Sequence, residues 1–222
     1  MPLAPLYVFD AYGTLFDVHS AVARHAGEIG YEAARLSEMW RTKQLEYTWV
    51  RSLSGRYADF EALTQDALDY AAARCGGLSP ELRASLLAAY AELDAYPDAS
   101  RTLDALRAAG AKTAILSNGT PAMLARAVAS AGLADRLDAV LSDDPLRIYK
   151  TAPAAYELIE ARFGIAPAEV CFLSSNRWDI AGASAFGLRC VWVNRLGLPD
   201  EYGDLAPAAV VGSLEGLLAL DL

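Results

Sequence analysis

The sequence predicts an α/β protein: a parallel sheet with helices on both faces, and a bundle of helices inserted near the start of the chain. The sheet is indicated by short apolar runs that alternate with helical patterns over most of the chain, because strand–helix alternation produces parallel sheets. The inserted bundle is indicated by residues 17–95, which contain no convincing strand pattern. The chain has 222 residues and is 54% hydrophobic, so it can bury a substantial core.

Five short apolar runs predict buried strands. In chain order they cover residues 6–9, 112–116, 139–141, 170–173 and 189–193. Helical patterns separate the later strands, at about 121–131, 153–163 and 178–186. Thr120 and Pro121 predict the start of the first of these helices, as an N-cap followed by proline at the first helical position. The last ten residues contain another short helical pattern.

The inserted segment is rich in Ala, Leu, Glu, Arg and Tyr at helical spacing. Helices are expected at 61–74 and 80–93. Before them, one broad helical face would be shared by Leu36, Met39, Trp40, Lys43, Gln44, Tyr47 and Val50. Pro97 marks the return to the α/β part, because the residue before a proline is pushed out of helical geometry. We therefore expect a core domain formed by 1–16 and 96–222, and a helical domain formed by 17–95.

Charge and composition exclude several classes of partner. The formal net charge is −9 and the sequence pI is about 4.7, which argues against nucleic acid and anionic membranes. The odd number and wide spacing of Cys75, Cys171 and Cys190 predict reduced thiols in a cytoplasmic protein. No charged segment followed by an apolar stretch opens the chain, so we expect no signal peptide, and no apolar run approaches membrane-spanning length.

Polar side chains follow four of the predicted strands. In chain order they are Asp10 and Thr14; Ser117 and Asn118; Tyr149 and Lys150; and Ser174, Asn176 and Asp179. Taken singly, Asp10 could be a turn residue and Lys150 a solvated lysine. Asn176 and Asp179 could serve only to cap a helix. Because ligands bind beyond the carboxyl ends of strands in open parallel sheets, their coincidence at consecutive strand ends favours a single site.

These positions carry a family resemblance. The matching motifs are Asp10-Ala11-Tyr12-Gly13-Thr14-Leu15-Phe16-Asp17, Leu116-Ser117-Asn118-Gly119, Lys150, and Ser174-Ser175-Asn176-Arg177-Trp178-Asp179. As a set they resemble the haloacid dehalogenase superfamily. Tyr12, the segment 40–49 and Gly55-Arg56-Tyr57 are most similar to the L-2-haloacid dehalogenases. The resemblance spans nearly the whole chain from about residue 6. It implies a Rossmann-like core, a helical cap, a small 2-haloacid substrate, no cofactor and a homodimer.

Position 12 separates two chemistries within this superfamily. Its phosphatases typically have a second Asp there, which protonates a departing alkoxide and whose backbone helps to bind magnesium. Tyr12 cannot supply that acid near neutral pH, whereas a departing chloride or bromide needs no proton. A metal is also less expected with one carboxylate fewer, since Lys150 could supply the positive charge beside Asp10 and Asp179.

The implied mechanism begins with attack by Asp10 on the carbon that bears the halogen, which inverts configuration and forms an aspartyl ester. Water then attacks the ester carbonyl and releases a 2-hydroxyacid. Lys150 should keep Asp10 ionised. By resemblance, Asp179 would activate the water together with Lys150, Ser174 and Asn176.

The resemblance also implies substrate contacts. Arg41, Asn118 and Trp178 would form a cradle for the halide, although Arg41 alone could equally pair with Glu38 or Glu46 on its helix and Trp178 could be plain core. Ser117 and nearby backbone N–H groups, including that of Ala11, would meet the substrate carboxylate. Either an apolar pocket for the alkyl part or ordinary core packing would account for Tyr12, Leu45, Phe60 and Tyr156. Thr14 and Tyr156 complete the expected catalytic set.

Three positions depart from the family pattern. Thr42 stands where Gln is frequent, and Arg177 replaces a small residue next to the halide wall, so both bear on substrate size and rate. Thr151 stands where proline is common and is predicted to act as an N-cap that preserves the loop carrying Lys150.

Two other functions remain open on the sequence. One is a phosphatase of the same superfamily that acts on a phosphorylated metabolite, which would require magnesium and release phosphate. The other is a binding module for carboxylates or anions that has lost turnover. An α/β-hydrolase is not indicated, because no G-x-S-x-G motif occurs.

Overall fold

The computed structural model describes residues 4–220 and contains a six-stranded parallel sheet, which confirms the predicted fold class. The strands are β1 Leu6–Phe9, β2 Lys112–Ser117, β3 Ala139–Ser142, β4 Val170–Ser174, β5 Arg189–Val193 and β6 Ala209–Val211. Their order across the sheet is β3-β2-β1-β4-β5-β6, and every neighbouring pair is parallel. The ends of the predicted core domain, 1–3 and 221–222, lie outside the described residues.

The central strand β1 is buried on both faces. Successive side chains of a strand point to opposite faces, and they join two different apolar clusters: Tyr7 and Phe9 pack in the larger cluster, whereas Leu6 and Val8 pack in the smaller one. In register, Phe9 lies opposite residue 115 of β2 and residue 173 of β4. The carboxyl ends of β1, β2 and β4 therefore open at the same edge of the sheet.

Residues 4–220 contain nine α-helices. They are α1 Ser20–Arg24, α2 Ala26–Ile29, α3 Ala33–Ser54, α4 Phe60–Arg74, α5 Pro80–Ala91, α6 Pro97–Ala108, α7 Pro121–Ser130, α8 Pro153–Phe163 and α9 Arg177–Phe186. None of the helices in this part of the chain is both long and apolar enough for a membrane crossing.

Helices α1 to α5 form the inserted bundle. The long helix α3 buries Leu36, Trp40, Gln44 and Thr48, four residues apart from one another, against its neighbours. Val50, predicted on the same face, is 55% exposed, so the buried face is narrower than the sequence pattern indicated. Helix α5 ends at residue 91 rather than 93.

Strand β6 and helix α6 of the core were not predicted from the sequence. Strand β6 has three residues and its central Val210 is 53% exposed, so it lacks the continuous apolar run that identified the other strands. Helix α6 begins at Pro97, which was interpreted only as the end of the inserted segment. Its buried residues Ala99, Leu103 and Leu106 do follow the helical period.

The predicted helix starts had different outcomes. The Thr120 side chain accepts a hydrogen bond from the Met123 backbone N–H at the start of α7, which confirms this N-cap. The prediction for Thr151 was wrong. Helix α8 has Ala152 at its N-cap, without a side-chain cap, so the loop that carries Lys150 is held by other contacts.

Candidate active site

Two carboxylates share one buried lysine beyond the carboxyl ends of β1 and β4. The Lys150 ammonium donates to Asp10 Oδ1 at 3.1 Å and to Asp179 Oδ2 at 2.9 Å. The Lys150 side chain is 0% exposed, so it is not the solvated lysine of the alternative interpretation. A buried ammonium is tolerated only when it is paired and hydrogen-bonded, and these two carboxylates provide that pairing.

The protonation of this cluster follows from burial and charge. Burial lowers the pKa of Lys150, but the adjacent Asp10 and Asp179 carboxylates outweigh burial and raise it above its ordinary value. Burial also raises the pKa of Asp179, and the ammonium of Lys150 offsets this only in part. A carboxylate with a raised pKa is a better proton acceptor near neutral pH, which suits Asp179 to the role of general base.

The second oxygen of Asp10 receives two further hydrogen bonds. Thr14 Oγ1 donates to Asp10 Oδ2 at 2.9 Å, and Asn176 Nδ2 donates to the same oxygen at 2.8 Å. Thr14 is itself fixed, because its hydroxyl accepts from the Ser175 backbone N–H at 2.8 Å. Although Asn176 occupies the N-cap position of α9, its side chain makes no capping bond, so the capping interpretation of this side chain was wrong.

The Tyr156 hydroxyl holds the Asp179 carboxylate in place. The Tyr156 hydroxyl donates to Asp179 Oδ1 at 2.8 Å, and its pKa is well above the ordinary value because it is buried, so it remains a donor. Its ring packs edge-on against Phe172 in the core, 5.8 Å between centroids. Of the two interpretations left open for Tyr156, an alkyl pocket or core packing, the structure shows core packing. Ser174 lies nearby, and its hydroxyl accepts from the Asn176 backbone N–H at 3.1 Å.

A cavity of about 10 Å³ lies in front of Asp10. It is lined by Asp10, Tyr12, Arg41, Leu45, Phe60, Ser117, Asn118 and Trp178. The structure thus brings together residues that the sequence assigned to nucleophile, halide cradle and alkyl pocket. Asp10 is only 5% exposed, and a space of this size holds about one water molecule. A larger ligand can reach Asp10 only if side chains of the inserted bundle move.

Arg41 crosses from the inserted bundle to the core. Its Nη2 donates to the Tyr12 carbonyl at 2.9 Å and to Asn176 Oδ1 at 3.2 Å. Its Nη1 donates to Gln44 Oε1 at 2.9 Å. The predicted alternative, pairing of Arg41 with Glu38 or Glu46, is not what the structure shows. A guanidinium fixed in this way presents its charge at the cavity.

The remaining predicted cavity residues have distinct surroundings. Asn118 Oδ1 accepts from the Lys150 backbone N–H at 3.1 Å, and the Ser117 hydroxyl accepts from the Gly119 N–H at 3.2 Å. The buried indole N–H of Trp178 has no hydrogen-bond partner within the described chain. Ala11 is completely buried in the turn after Asp10.

Tyr12 packs in an aromatic group that joins the core to the inserted bundle. Its ring is stacked on Tyr90 at 5.8 Å and tilted against Phe60 at 5.5 Å. Burial raises its pKa far above the ordinary value, so the hydroxyl stays protonated. Gly119 makes room for this ring, because a Cβ at position 119 would lie 2.8 Å from Tyr12 Cε2.

Sequence reasoning missed Asp143. This carboxyl is completely buried, and its Oδ2 accepts from the Lys150 backbone N–H at 3.1 Å. Burial raises the pKa of Asp143 to about 8. A signal was present, since Asp143 lies two residues after the strand predicted at 139–141, but Tyr149 and Lys150 were taken as the polar residues of that strand end. Tyr149 itself is buried and does not line the cavity.

The departures from the family pattern lie away from the cavity. Arg177 is directed to the segment 200–205, where its Nε donates to Asp200 Oδ1 at 2.6 Å and its Nη2 to the Tyr202 carbonyl at 3.0 Å. Although Arg177 is next to Trp178 in the sequence, its side chain therefore lies outside the cavity. Thr42 is exposed on α3.

The donor set does not suit a metal ion. Among residues 4–220, no group of three or more His, Cys, Asp or Glu side chains is arranged to hold one. The Lys150 ammonium already occupies the position of a cation shared between Asp10 and Asp179.

Comparisons with known proteins agree with the geometry. The family described as haloacid dehalogenase-like hydrolase matches residues 5–187. The chain is similar to (S)-2-haloacid dehalogenase 1 of Pseudomonas sp. (strain CBS-3), 53% identical over 88% of this chain and 86% of that protein. It is 51% identical to (S)-2-haloacid dehalogenase 4A of Burkholderia cepacia, over 90% of this chain and 87% of that protein.

Solved structures give the same result. A dehalogenase crystal structure has a TM-score of 0.96 and 47% identity, covering 99% of this chain and 97% of the other. The L-2-haloacid dehalogenase from Xanthobacter autotrophicus with chloropropionic acid covalently bound has a TM-score of 0.87 and 39% identity, covering 98% of both chains.

Proposed function

We propose, because this chain belongs to the haloacid dehalogenase-like hydrolase family, that it hydrolyses short-chain (S)-2-haloacids to (R)-2-hydroxyacids and halide. The observation that carries this proposal is the Asp10 carboxylate, held by Lys150, Thr14 and Asn176 in front of a small cavity. The substrate class and its handedness are taken from relatives of 53% and 51% identity that are (S)-2-haloacid dehalogenases.

In the first step, an oxygen of Asp10 attacks C2 of the substrate from the side opposite the halogen. A carbon–oxygen bond forms as the carbon–halogen bond breaks, and halide leaves with the electron pair, so configuration inverts. Arg41, Asn118 and Trp178 line the same cavity, and the buried indole N–H of Trp178 has no partner within the described chain. We propose that donors on these three residues stabilise the departing halide. The covalently bound chloropropionic acid in the Xanthobacter autotrophicus enzyme supports the ester.

In the second step, water attacks the ester carbonyl of Asp10. Asp179 takes a proton from this water, which its raised pKa favours. The bond between the carbonyl carbon and the ester oxygen, which was originally an Asp10 oxygen, then breaks. The 2-hydroxyacid leaves with that oxygen and takes the proton held by Asp179, and the second proton of the water passes to solvent. The Asp10 carboxylate is restored with one oxygen from water. Lys150 and Asn176 stabilise the developing oxyanion, and Tyr156 holds Asp179 in place.

Turnover is expected without a metal ion. The Lys150 ammonium supplies the positive charge between Asp10 and Asp179. Tyr12 stays protonated and is stacked between aromatic rings, so it does not replace the acid that a phosphatase needs for an alkoxide. No feature of the site favours the phosphatase alternative over dehalogenation.

Organisation and location are part of the same proposal. We propose residues 17–95 as a cap over a core of 1–16 and 96–222, because Arg41 of α3 completes the cavity. A homodimer rests on the family resemblance, and the exposed apolar residues Val50 and Leu53 on α3 are compatible with it. The free thiols of Cys75, Cys171 and Cys190 suit the reducing cytoplasm.

Halide release tests the proposal. With chelator present, (S)-2-chloropropanoate should give chloride and (R)-lactate. Asp10→Ala should reduce the rate by about 10³-fold or more, because removal of a nucleophile can reduce kcat by about 10⁶-fold. In single turnover in heavy-oxygen water, the label should enter Asp10 rather than the lactate hydroxyl. Equal turnover of both enantiomers, or label in lactate only, would contradict the mechanism. Magnesium-dependent release of phosphate from an aryl phosphate would favour the phosphatase instead.

A further inference from the structure

The loop that ends at Lys150 is hydrogen-bonded to the inserted segment through two tyrosines that take no part in the proposed reaction steps. Tyr57, in the turn between α3 and α4, donates a hydrogen bond to the Asp144 carboxylate. Tyr149, the residue before Lys150, donates in the opposite direction, to the Ala58 carbonyl at 2.5 Å. The two rings are stacked, with centroids 5.3 Å apart and an interplanar angle of 29°. We call this pair the tyrosine clamp.

This loop contains one residue in an unfavourable backbone conformation. Arg147 has a φ of +55°, in the left-handed region that disfavours a residue with a side chain. Its guanidinium lies over the Tyr57 ring, 5.0 Å from the centroid. The Tyr149 backbone N–H donates to the Ser52 hydroxyl at 3.2 Å. Such conformations persist only where the surroundings fix them, and here residues 52–58 of the inserted segment provide part of those surroundings.

The core also holds this loop, at Lys150 itself. The Lys150 backbone N–H donates to Asn118 Oδ1 and to Asp143 Oδ2, both at 3.1 Å. Lys150 is thus anchored on one side by core residues and on the other, through Tyr149, by the inserted segment. Phe60, which lines the cavity, also packs against Tyr149 at 6.2 Å.

Entry of substrate requires movement on the side of the inserted segment. The cavity has about the volume of one water molecule and Asp10 is 5% exposed, so a haloacid can bind only if lining side chains of the inserted segment, which are Arg41, Leu45 and Phe60, first move. Any movement of residues 52–58 away from the core stretches both hydrogen bonds of the clamp. The loop then loses the contacts that hold its left-handed residue, and Lys150 loses its anchor on that side.

We infer that Tyr57 and Tyr149 are positioning residues, through which closure of the inserted segment over bound substrate sets Lys150 between Asp10 and Asp179. The kinetic part of this inference rests on the proposed dehalogenase function, but the structural part does not. It also gives a role to the Gly55-Arg56-Tyr57 motif, of which the reaction steps make no use.

The test combines hydrogen exchange with steady-state kinetics on the full chain. Tyr57→Phe removes one hydroxyl and keeps the ring, so amide exchange in 143–151 should accelerate about tenfold, the change expected from the loss of one hydrogen bond to a charged group. For (S)-2-chloropropanoate, kcat should fall about five- to tenfold while KM changes less than about twofold, because Lys150 acts in the chemical steps.

Matched variants separate the clamp from general destabilisation. Asp144→Asn keeps a neutral acceptor for Tyr57 and should fall between wild type and Tyr57→Phe, whereas Asp144→Ala should behave like Tyr57→Phe. The double variant Tyr57→Phe/Asp144→Ala should be no worse than either single variant. Tyr70→Phe removes a hydroxyl from α4 that accepts only from Arg74 at 3.2 Å, and it should leave both exchange in 143–151 and kcat unchanged.

Unchanged exchange in 143–151 in Tyr57→Phe would overturn the inference. A uniform rise in exchange across the chain, with a lower Tm and unaltered kcat, would reduce the clamp to a structural contact and overturn it as well. If the wild type released no halide at all, the proposed function would fail, and the exchange data would still decide whether the clamp fixes the loop.

Discussion

A single ammonium between two buried carboxylates leaves the cluster with one negative charge in excess. Asp10 and Asp179 both contact Lys150, which is completely buried. In surroundings of low polarity such an excess favours uptake of a proton by one of the acids. Burial raises the pKa of Asp179, so proton uptake during ester hydrolysis belongs to Asp179. Asp10 stays directed by donors on both of its oxygens.

Arg41 offers a test at the residue scale that separates the two chemical steps. Arg41→Ala removes a fixed cation from the cavity wall, where its Nη2 lies 2.9 Å from the Tyr12 carbonyl. Loss of one preorganised donor to a developing charge typically reduces a rate by about 10²–10³. Ester formation, measured by rapid quench with (S)-2-chloropropanoate, should fall by about this factor, whereas hydrolysis of the preformed ester should change less than about threefold.

The matched control is Arg35→Ala on the same helix. Arg35 pairs with Glu32 near the helix start and its side chain is 52% exposed, so neither step should change. Ester formation at the wild-type rate in Arg41→Ala would remove Arg41 from the halide cradle. A selective loss of ester hydrolysis would assign it to the second step instead.

At the scale of elements, the site residues that could be predicted from the sequence are those at the ends of strands. Asp10, Ser117 and Ser174 each end or follow an apolar run, and parallel strands bring those ends to one edge. Contacts that depend on tertiary packing left no such pattern. Gln44 supports Arg41 and is itself bonded by Tyr90, 46 positions away in the sequence, at 3.1 Å. Hydrophobic periodicity says which helical face is buried, but not which polar side chains meet across it.

The turn after β2 provides a test at the element scale. Gly119→Ala would place a Cβ 2.8 Å from Tyr12 Cε2 and 3.3 Å from Leu124 Cδ2. Since Tyr12 is stacked against Tyr90, it cannot move without disturbing the packing between core and inserted segment. Overpacking of this kind costs about 1–3 kcal/mol. Urea denaturation should show that loss, and KM for (S)-2-chloropropanoate should rise because Tyr12 lines the cavity.

The control is a glycine in a helix, at a position with free space around it. Gly27 lies in α2, has an ordinary φ, and a Cβ there would meet nothing within 4 Å. Gly27→Ala should therefore leave KM unchanged and, by its higher helix propensity, stabilise slightly. If Gly119→Ala matched Gly27→Ala in both stability and KM, the close packing of Tyr12 against the turn would have no functional consequence.

At the scale of the whole molecule, the inserted segment and the core meet around the site rather than beside it. Arg41 reaches the Tyr12 carbonyl and Asn176, the Trp49 ring packs edge-on against Trp178 at 5.6 Å, and Tyr57 bonds to Asp144. The contacts of Arg41 and Trp49 couple closure to residues proposed for binding or catalysis, and the contact of Tyr57 couples it to the loop that carries Lys150. Stability and activity therefore share the same interface, and conditions that weaken one are expected to affect the other.

The pH dependence of unfolding should carry the signature of Asp143. Burial raises its pKa from 3.8 to about 8, although the Lys150 charge opposes this and Asp179 and Asp144 reinforce it. The folded state thus holds the Asp143 proton more tightly than the unfolded state. Where the unfolded chain has fewer bound protons, stability falls as pH rises. The Asp143 contribution is therefore lost progressively between about pH 4 and pH 8, and it changes little outside that window.

Asp143→Asn removes the ionisation but keeps an oxygen that can accept from the Lys150 backbone N–H. Its stability relative to wild type should therefore increase with pH, by about 2 kcal/mol between pH 5 and pH 8, a conservative fraction of what such a pKa shift allows. Urea denaturation at several pH values measures this difference directly. Asp135→Asn, at an exposed acid, should give a difference from wild type that does not vary over the same range. Parallel pH profiles for Asp143→Asn and wild type would contradict this prediction. They would mean that Asp143 is ionised in the folded protein at neutral pH and that the Lys150 charge compensates fully for its burial. The three carboxylates around this lysine would then all be charged at once.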